Sequence, residues 1–205
     1  MYKLPYYIEK DESIIMDFLQ KNSFTILSGV LNGRPVATHV PLEIKKENDQ
    51  LIFTGHMMKG TDHYNAFLQN ENVLSIFSGP HCYVSASWYE YKQKGSTWNY
   101  MDVQAQGKLQ FTDEEGTRRI VESVTNKYEG TESEAAFSKL SEEYIQRNVK
   151  AISGFHILVE KLDAVFKLSQ NESEQTQQQI IDHLLRSEEY MQIQIAHEMQ
   201  KRLYK

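Results

Sequence analysis

Residues 97–111, TWNYMDVQAQGKLQF, alternate along their whole length. Met101, Val103, Ala105, Leu109 and Phe111 share one face, and Asp102, Gln104, Gln106 and Lys108 share the other. A period of two sustained over this distance is that of a long strand with one face on a core. Strands of the same kind are expected at 24–31 (FTILSGVL), 34–44 (RPVATHVPLEI), 51–55 (LIFTG), 73–79 (VLSIFSG), 82–89 (CYVSASWY) and 154–170. Asn32-Gly33 predicts a tight hairpin, because both turn positions favour positive φ. ENDQ (47–50) predicts a second turn, and Gly79-Pro80 predicts a third, between the strands 73–79 and 82–89.

Helices fall between and after the strands. Ile14, Ile15, Phe18 and Leu19 have helical spacing within 11–22, with Asp11 as cap and Asn22 as stop. KGTDHYNAFLQNEN (59–72) predicts a short helix capped by Thr61 or Asp62. DEEGTRRIVESVTNKYE (113–129) predicts an amphipathic helix carrying Ile120, Val121 and Val124, with a polar connector and a short helix at 144–153 after it. From Asn171 to Lys205 the chain reads as helix, with Ile181, Leu184, Leu185, Met191, Ile195 and Met199 as its apolar positions. Mostly antiparallel strands with outlying helices point to an α+β fold built on a closed or split β-barrel. No Gly-x-Gly-x-x-Gly accompanies a βαβ rhythm, so a dinucleotide-binding fold is not expected.

Charge and composition narrow the function. Lys and Arg total 22 against 28 Asp and Glu, a net charge of −6. Nucleic-acid binding draws on clustered cations, and here they are scattered and outnumbered. No apolar run is long enough to span a bilayer, and the N-terminus lacks the basic-then-apolar order of a signal peptide. The lone Cys82 precludes an intramolecular disulfide and fits a reducing cytoplasm; in its strand it reads as a small core residue. The seven histidines show no metal-ligand spacing, and no Gly-x-Ser-x-Gly elbow occurs, so neither a metal nor a catalytic residue is expected.

Two places could carry chemistry. At 54–62 a strand ends in Thr54-Gly55-His56, Lys59 follows, and a helix begins. A hydroxyl, an imidazole, an ammonium and helix N–H groups together could receive a phosphate, or the stretch is simply a strand–helix connection. At 97–100, Trp98 and Tyr100 stand on an otherwise polar strand face, which suggests a dimer contact, a ring-stacking surface or cover by a later helix. Asn99 points the other way and could hydrogen-bond a heteroaromatic ring. His39, alone before Val40-Pro41, reads as structural.

Five stretches together resemble a known family: HVPLEI (39–44), GHMMKGTDHY (55–64), IFSGPHCYVSASWY (76–89), TWNYMDVQAQGK (97–108) and AISGFHILVEKLDAVFKLSQN (151–171). They resemble PaiB-type FMN-binding negative transcriptional regulators. The resemblance implies an antiparallel split β-barrel of the flavin-binding type, usually dimeric, with peripheral helices and a helical C-terminus. It implies repression of sporulation and protease synthesis by a cytoplasmic regulatory protein rather than an enzyme. The alternative is a flavin-dependent oxidoreductase or haem-processing enzyme on the same barrel. Carried onto this chain, the resemblance places the FMN phosphate at Thr54, His56 and Lys59. Thr38, His39, His81, Ser85, Trp88, Trp98 and Asn99 complete the expected cofactor-binding set, with a partner subunit closing the pocket. His81, Ser85, Ser87 and Trp88 are pocket-wall or dimer-interface candidates. DNA contact follows by analogy with the family, and the charge opposes it. The expected organisation is a split-barrel domain over 1–170 with a helical insert at about 113–150, then a helical extension over 171–205.

The chain departs from the family pattern at four points. The loop after Gly55-His56 reads MMKGTDH where the family carries an Ala-Arg-Ala-Asn-Pro type sequence, so Lys59 offers a point charge in place of an arginine fork. Ser96 and Ala86 stand where prolines are usual, and Glu172 follows KLSQN where arginine is usual. A weaker hold on phosphate is expected, with the protein isolable without flavin.

Overall fold

The two tight hairpins form as their residue types dictate. Asn32 and Gly33 adopt φ of 50° and 76° and join β1 (Phe24–Leu31) to β2 (Arg34–Pro41), paired from Leu31↔Arg34 to Phe24↔Pro41. Asn48 and Asp49, at φ 47° and 65°, join β3 (Glu43–Glu47) to β4 (Gln50–Met58). In both turns the right-handed strand twist favours two successive positive φ values. This computed structural model describes residues 1, 2 and 4–204.

The remaining strands are β5 (Asn72–Val84), β6 (Thr97–Phe111) and β7 (Ile152–Lys167). All seven lie in one antiparallel sheet in the order β2-β1-β5-β6-β7-β4-β3, open at β2 and β3. Pro35 and Pro41 blunt one edge and the charged run EIKKE blunts the other. The long alternating stretch of the sequence is β6 itself, with Met101, Val103, Ala105 and Leu109 buried.

Gly79-Pro80 is not a turn; β5 runs straight through it. A Cβ on Gly79 would come within 2.5 Å of the Phe18 ring, so the glycine makes room for packing. Pro80 lies past Leu74–Ile76, the stretch of β5 paired to β1, where a missing N–H costs no bond to that neighbour. The alternation slips by one at this point: Ser78 faces out and Gly79 in, and then His81 and Tyr83 face out and Cys82 in. One extra residue, as in a β-bulge, produces that slip.

The helices are α1 (Glu12–Lys21), α2 (Asp62–Gln69), α3 (Glu114–Glu129), α4 (Glu142–Ala151), α5 (Glu174–Leu185) and α6 (Tyr190–Leu203). Asp11 caps α1 by accepting from the Ser13 and Ile14 amides. Thr61, Asp113, Ser141 and Ser173 cap α2 to α5 in the same way. Ser141 starts α4 two residues before the expected boundary. The C-terminal helix expected from the sequence is two helices, α5 and α6, separated at 186–189. There the Ser187 hydroxyl takes the Glu189 amide at 3.0 Å and competes with helical bonding.

Two compact units make up the fold. The terminal unit comprises 1–18, 78–103 and 163–205, and the central unit comprises 19–77 and 104–162. In the terminal unit Phe18 packs on Phe166 with ring centroids 5.1 Å apart, and Leu168, Ile180, Ile181, Leu184 and Ile195 are fully buried. In the central unit Phe53 and Phe77 meet edge-to-face at 5.1 Å, with Phe155, Leu27, Leu42 and Ile157 buried. The polar connector after α3 hides an anchor. Phe137 is buried with Ile145 and Val149, beside a bidentate Arg118–Glu142 pair joining α3 to α4 at 2.7 and 2.9 Å.

Candidate functional site

Thr54 and His56 share one face of β4 because strand side chains alternate. The Thr54 hydroxyl lies 3.0 Å from His156 Nδ1 on β7. His56 Nδ1 is buried and has no hydrogen-bond partner. Burial lowers the His56 pKa from its ordinary value and keeps the ring neutral at neutral pH. Lys59 follows at the strand end. Its amide donates to the Ala151 carbonyl at 3.0 Å and its ammonium to the Lys150 carbonyl at 3.1 Å, so it caps the end of α4. An ammonium has three donors, and this contact occupies one.

The start of α2 satisfies itself. Thr61 Oγ1 accepts from the Tyr64 amide at 3.3 Å and lies 3.0 Å from both the Met58 carbonyl and His63 Nε2. Asp62 Oδ1 accepts from the His63 amide at 2.7 Å. An anion here would meet the Asp62 carboxylate, so Lys59 rather than the helix end is the cationic element of the segment. The unpartnered imidazole nitrogen and the two spare ammonium protons fit a group rich in acceptors and donors, as a flavin phosphate and ring edge are.

Thr54 also opens onto a cleft of about 540 Å³ in the central unit. Its lining includes Glu43, Ile52, Leu158 and His156 from the sheet and Arg119, Ile120 and Ser123 from α3. Glu43 lies directly opposite Thr54, and Thr54 directly opposite His156, in one row across three strands. Ser123 donates to Glu43 Oε1 at 2.7 Å. Sequence reasoning found Thr54 and missed Glu43, Ser123 and His156, which only strand register and the docking of α3 bring together. Elsewhere in this unit, His39 is exposed on β2 and stacks on Phe24 at 5.7 Å, and Thr38 faces the other way, half-buried.

The other expected residues lie in the terminal unit. His81, Tyr83 and Trp98 form an exposed ring cluster, with Trp98 6.2 Å from His81 and 6.0 Å from Tyr83 between centroids. Ser85 caps a short turn, accepting from the Ser87 amide. Trp88 stacks on His183 of α5 at 5.0 Å and 12°. Asn99, expected to reach a heteroaromatic ring, is fully buried; it accepts from the Ser169 hydroxyl at 3.0 Å and donates to Met199 Sδ at 3.5 Å. Lys167 donates to the Trp98 carbonyl at 2.7 Å and to the Thr97 hydroxyl, with the Tyr7 ring beneath it. Desolvation lowers the Lys167 pKa and pushes the Tyr7 phenol up to about 12. The motifs TWNY and KLSQN therefore interlock as one buried polar node. Cys82 is buried filler, its thiol pushed up to about 12 by desolvation. Among the described residues no group of three or more His, Cys, Asp or Glu side chains could hold a metal ion. No helix among them is long and apolar enough to cross a membrane.

The open seven-stranded sheet with outlying helices is the split-barrel fold of flavin-binding proteins. It is similar to the flavocytochrome Anf3 from Azotobacter vinelandii, with a TM-score of 0.62 at 13% identity over 81% of this chain and 72% of that one. It is also similar to the FAD and heme binding protein from Mycobacterium smegmatis, with a TM-score of 0.57 at 13% identity over 78% and 72%. Residues 1–161 match the family described as "Putative FMN-binding domain", and the chain belongs to that family. Among named relatives, the protease synthase and sporulation protein PAI 2 of Bacillus subtilis (strain 168) is 34% identical over 100% of this chain and 99% of its own length.

Proposed function

We propose that this chain is a cytoplasmic, FMN-responsive repressor of sporulation and protease synthesis, acting as a homodimer. The observation that carries the ligand reading is His56, a buried imidazole with an unpartnered nitrogen, three residues before Lys59. The regulatory reading rests on full-length similarity to PAI 2. His56 and Lys59 would hold the phosphate and ring edge, and Thr54 would line the approach. Bound FMN would supply a redox-active ring, and this chain's own contribution is to bind and orient it.

The exposed Trp98, Tyr83 and His81 cluster supports an interface with a second copy, because large aromatics lose little entropy when buried there. Repression through a protein partner fits the net charge of −6 better than direct operator binding. The test is an FMN titration of the purified protein, followed by absorbance and flavin fluorescence. Saturable quenching at tens of micromolar or below is expected; none at that level overturns the flavin site. An NADH-oxidation assay with FMN present separates a regulator from a reductase, since turnover above that of free flavin would favour the enzyme.

A further inference from the structure

The cleft between α3 and the β3–β4–β7 face holds a carboxylate that the flavin reading does not use. The Glu43 side chain is only 12% exposed. Its Oε1 takes the Ser123 hydroxyl at 2.7 Å. The cation at its other oxygen is Lys45, 3.8 Å away on a side chain 61% exposed. That pair is too long for a hydrogen bond and is open to solvent, so it compensates little of this half-buried charge. A carboxylate partly withdrawn from water favours a charged donor in direct contact.

The rest of the cleft says which donor. Ile52, Ile120 and Leu158 give it apolar walls, and Thr54 and His156 place a hydroxyl and an imidazole in the same cross-strand row. Its charged lining is Glu43, Glu47 and Asp113 against Lys45 and Arg119, and Arg119 leans to Glu115 at 3.5 Å. The balance favours a cation. The donor set suits no multivalent metal ion, and the volume of about 540 Å³ suits an organic molecule.

We propose that this cleft binds a small organic ammonium on an apolar body, the ammonium seated on Glu43 and the body between Ile52, Ile120 and Leu158. Flavin would be held at His56 and Lys59, outside the cleft lining, with Thr54 bordering both sites. Lys45, which competes for the same carboxylate, tunes the affinity.

The test titrates the intact protein with 2-phenylethylamine, with the neutral 2-phenylethanol and with the anionic 3-phenylpropanoate, read by calorimetry and amide NMR shifts. Saturable amine binding is expected, with the alcohol about tenfold weaker, a difference of about 1.4 kcal/mol, and the anion weaker still. Glu43→Gln should lower amine affinity about tenfold, and Lys45→Met should raise it about threefold. Lys45→Met changes an exposed side chain, so it serves if Glu43→Gln fails to fold. Lys59→Ala should leave amine binding unchanged, so the flavin reading and this one fail separately. Equal binding of amine and alcohol, loss of affinity in Lys45→Met, or no saturation by several millimolar overturns the proposal.

Discussion

Two polar regions of this protein are built alike and satisfied differently. In the terminal unit, Asn99 bonds Ser169 and Met199, and Lys167 bonds the Thr97 hydroxyl and the Trp98 carbonyl. In the central unit, His56 buries a nitrogen against nothing that can bond it. A buried polar group with its partners in place rigidifies a fold, and one without them weakens it. The first region is therefore architecture. The second is the region proposed to take the ligand, because it leaves a buried nitrogen to be satisfied.

Substitutions can break that comparison, because the two regions should respond with opposite signs. The largest effect is expected at Asn99→Ala, which strands the Ser169 hydroxyl and opens a cavity, costing about 3 kcal/mol. Urea unfolding followed by circular dichroism measures it, and a cost below about 0.5 kcal/mol would remove the node from the architecture. Gly79→Ala drives a Cβ against Phe18 and should cost about 2 kcal/mol. Adding Phe18→Leu should recover part of that loss if packing, rather than a turn, sets the glycine.

His56→Leu should act the other way. Removing the unpartnered nitrogen should stabilise the free protein by about 1 kcal/mol at neutral pH while abolishing FMN binding. A pH series sharpens the point. The folded His56 pKa lies below the ordinary 6.5, so the unfolded chain takes up the proton first as acid is added. Stability should thus fall as pH drops through 6.5 toward the folded value, and His56→Leu should flatten that window. An unchanged slope would show that His56 does not titrate there. The smallest effect on stability is expected at Lys59→Ala, within about 0.5 kcal/mol of the parent, with FMN affinity reduced about tenfold. A stability loss without an affinity loss would make Lys59 only a cap for α4.

Much of the fold was legible because its signals are local. The alternation of 97–111 is β6, Asn32-Gly33 makes its turn, and Asp11, Thr61 and Asp113 cap the helices they precede. Two readings failed where a distant residue overrides a local preference. Gly79-Pro80 has turn chemistry, yet the Phe18 ring needs the space and the strand continues. Phe137 looked like part of a polar connector, yet α3 and α4 bury it. In the candidate site, Thr54, His56 and Lys59 were legible as a run of neighbouring residues. Glu43, Ser123 and His156 were not, since nothing near them in the chain distinguishes them from surface polar residues.

By itself the sequence determined most strands, the Asn32-Gly33 and Asn48-Asp49 hairpins, most helix caps and the family, because periodicity, turn propensity and capping are short-range and leave a written pattern. Only the tertiary structure decided which polar groups are satisfied. It closed Asn99 inside a node, left His56 Nδ1 without a partner, and aligned Glu43, Thr54 and His156 across three strands. Satisfaction and register depend on which distant segments meet, and the free energy of a buried polar atom is set by those neighbours rather than by its place in the chain.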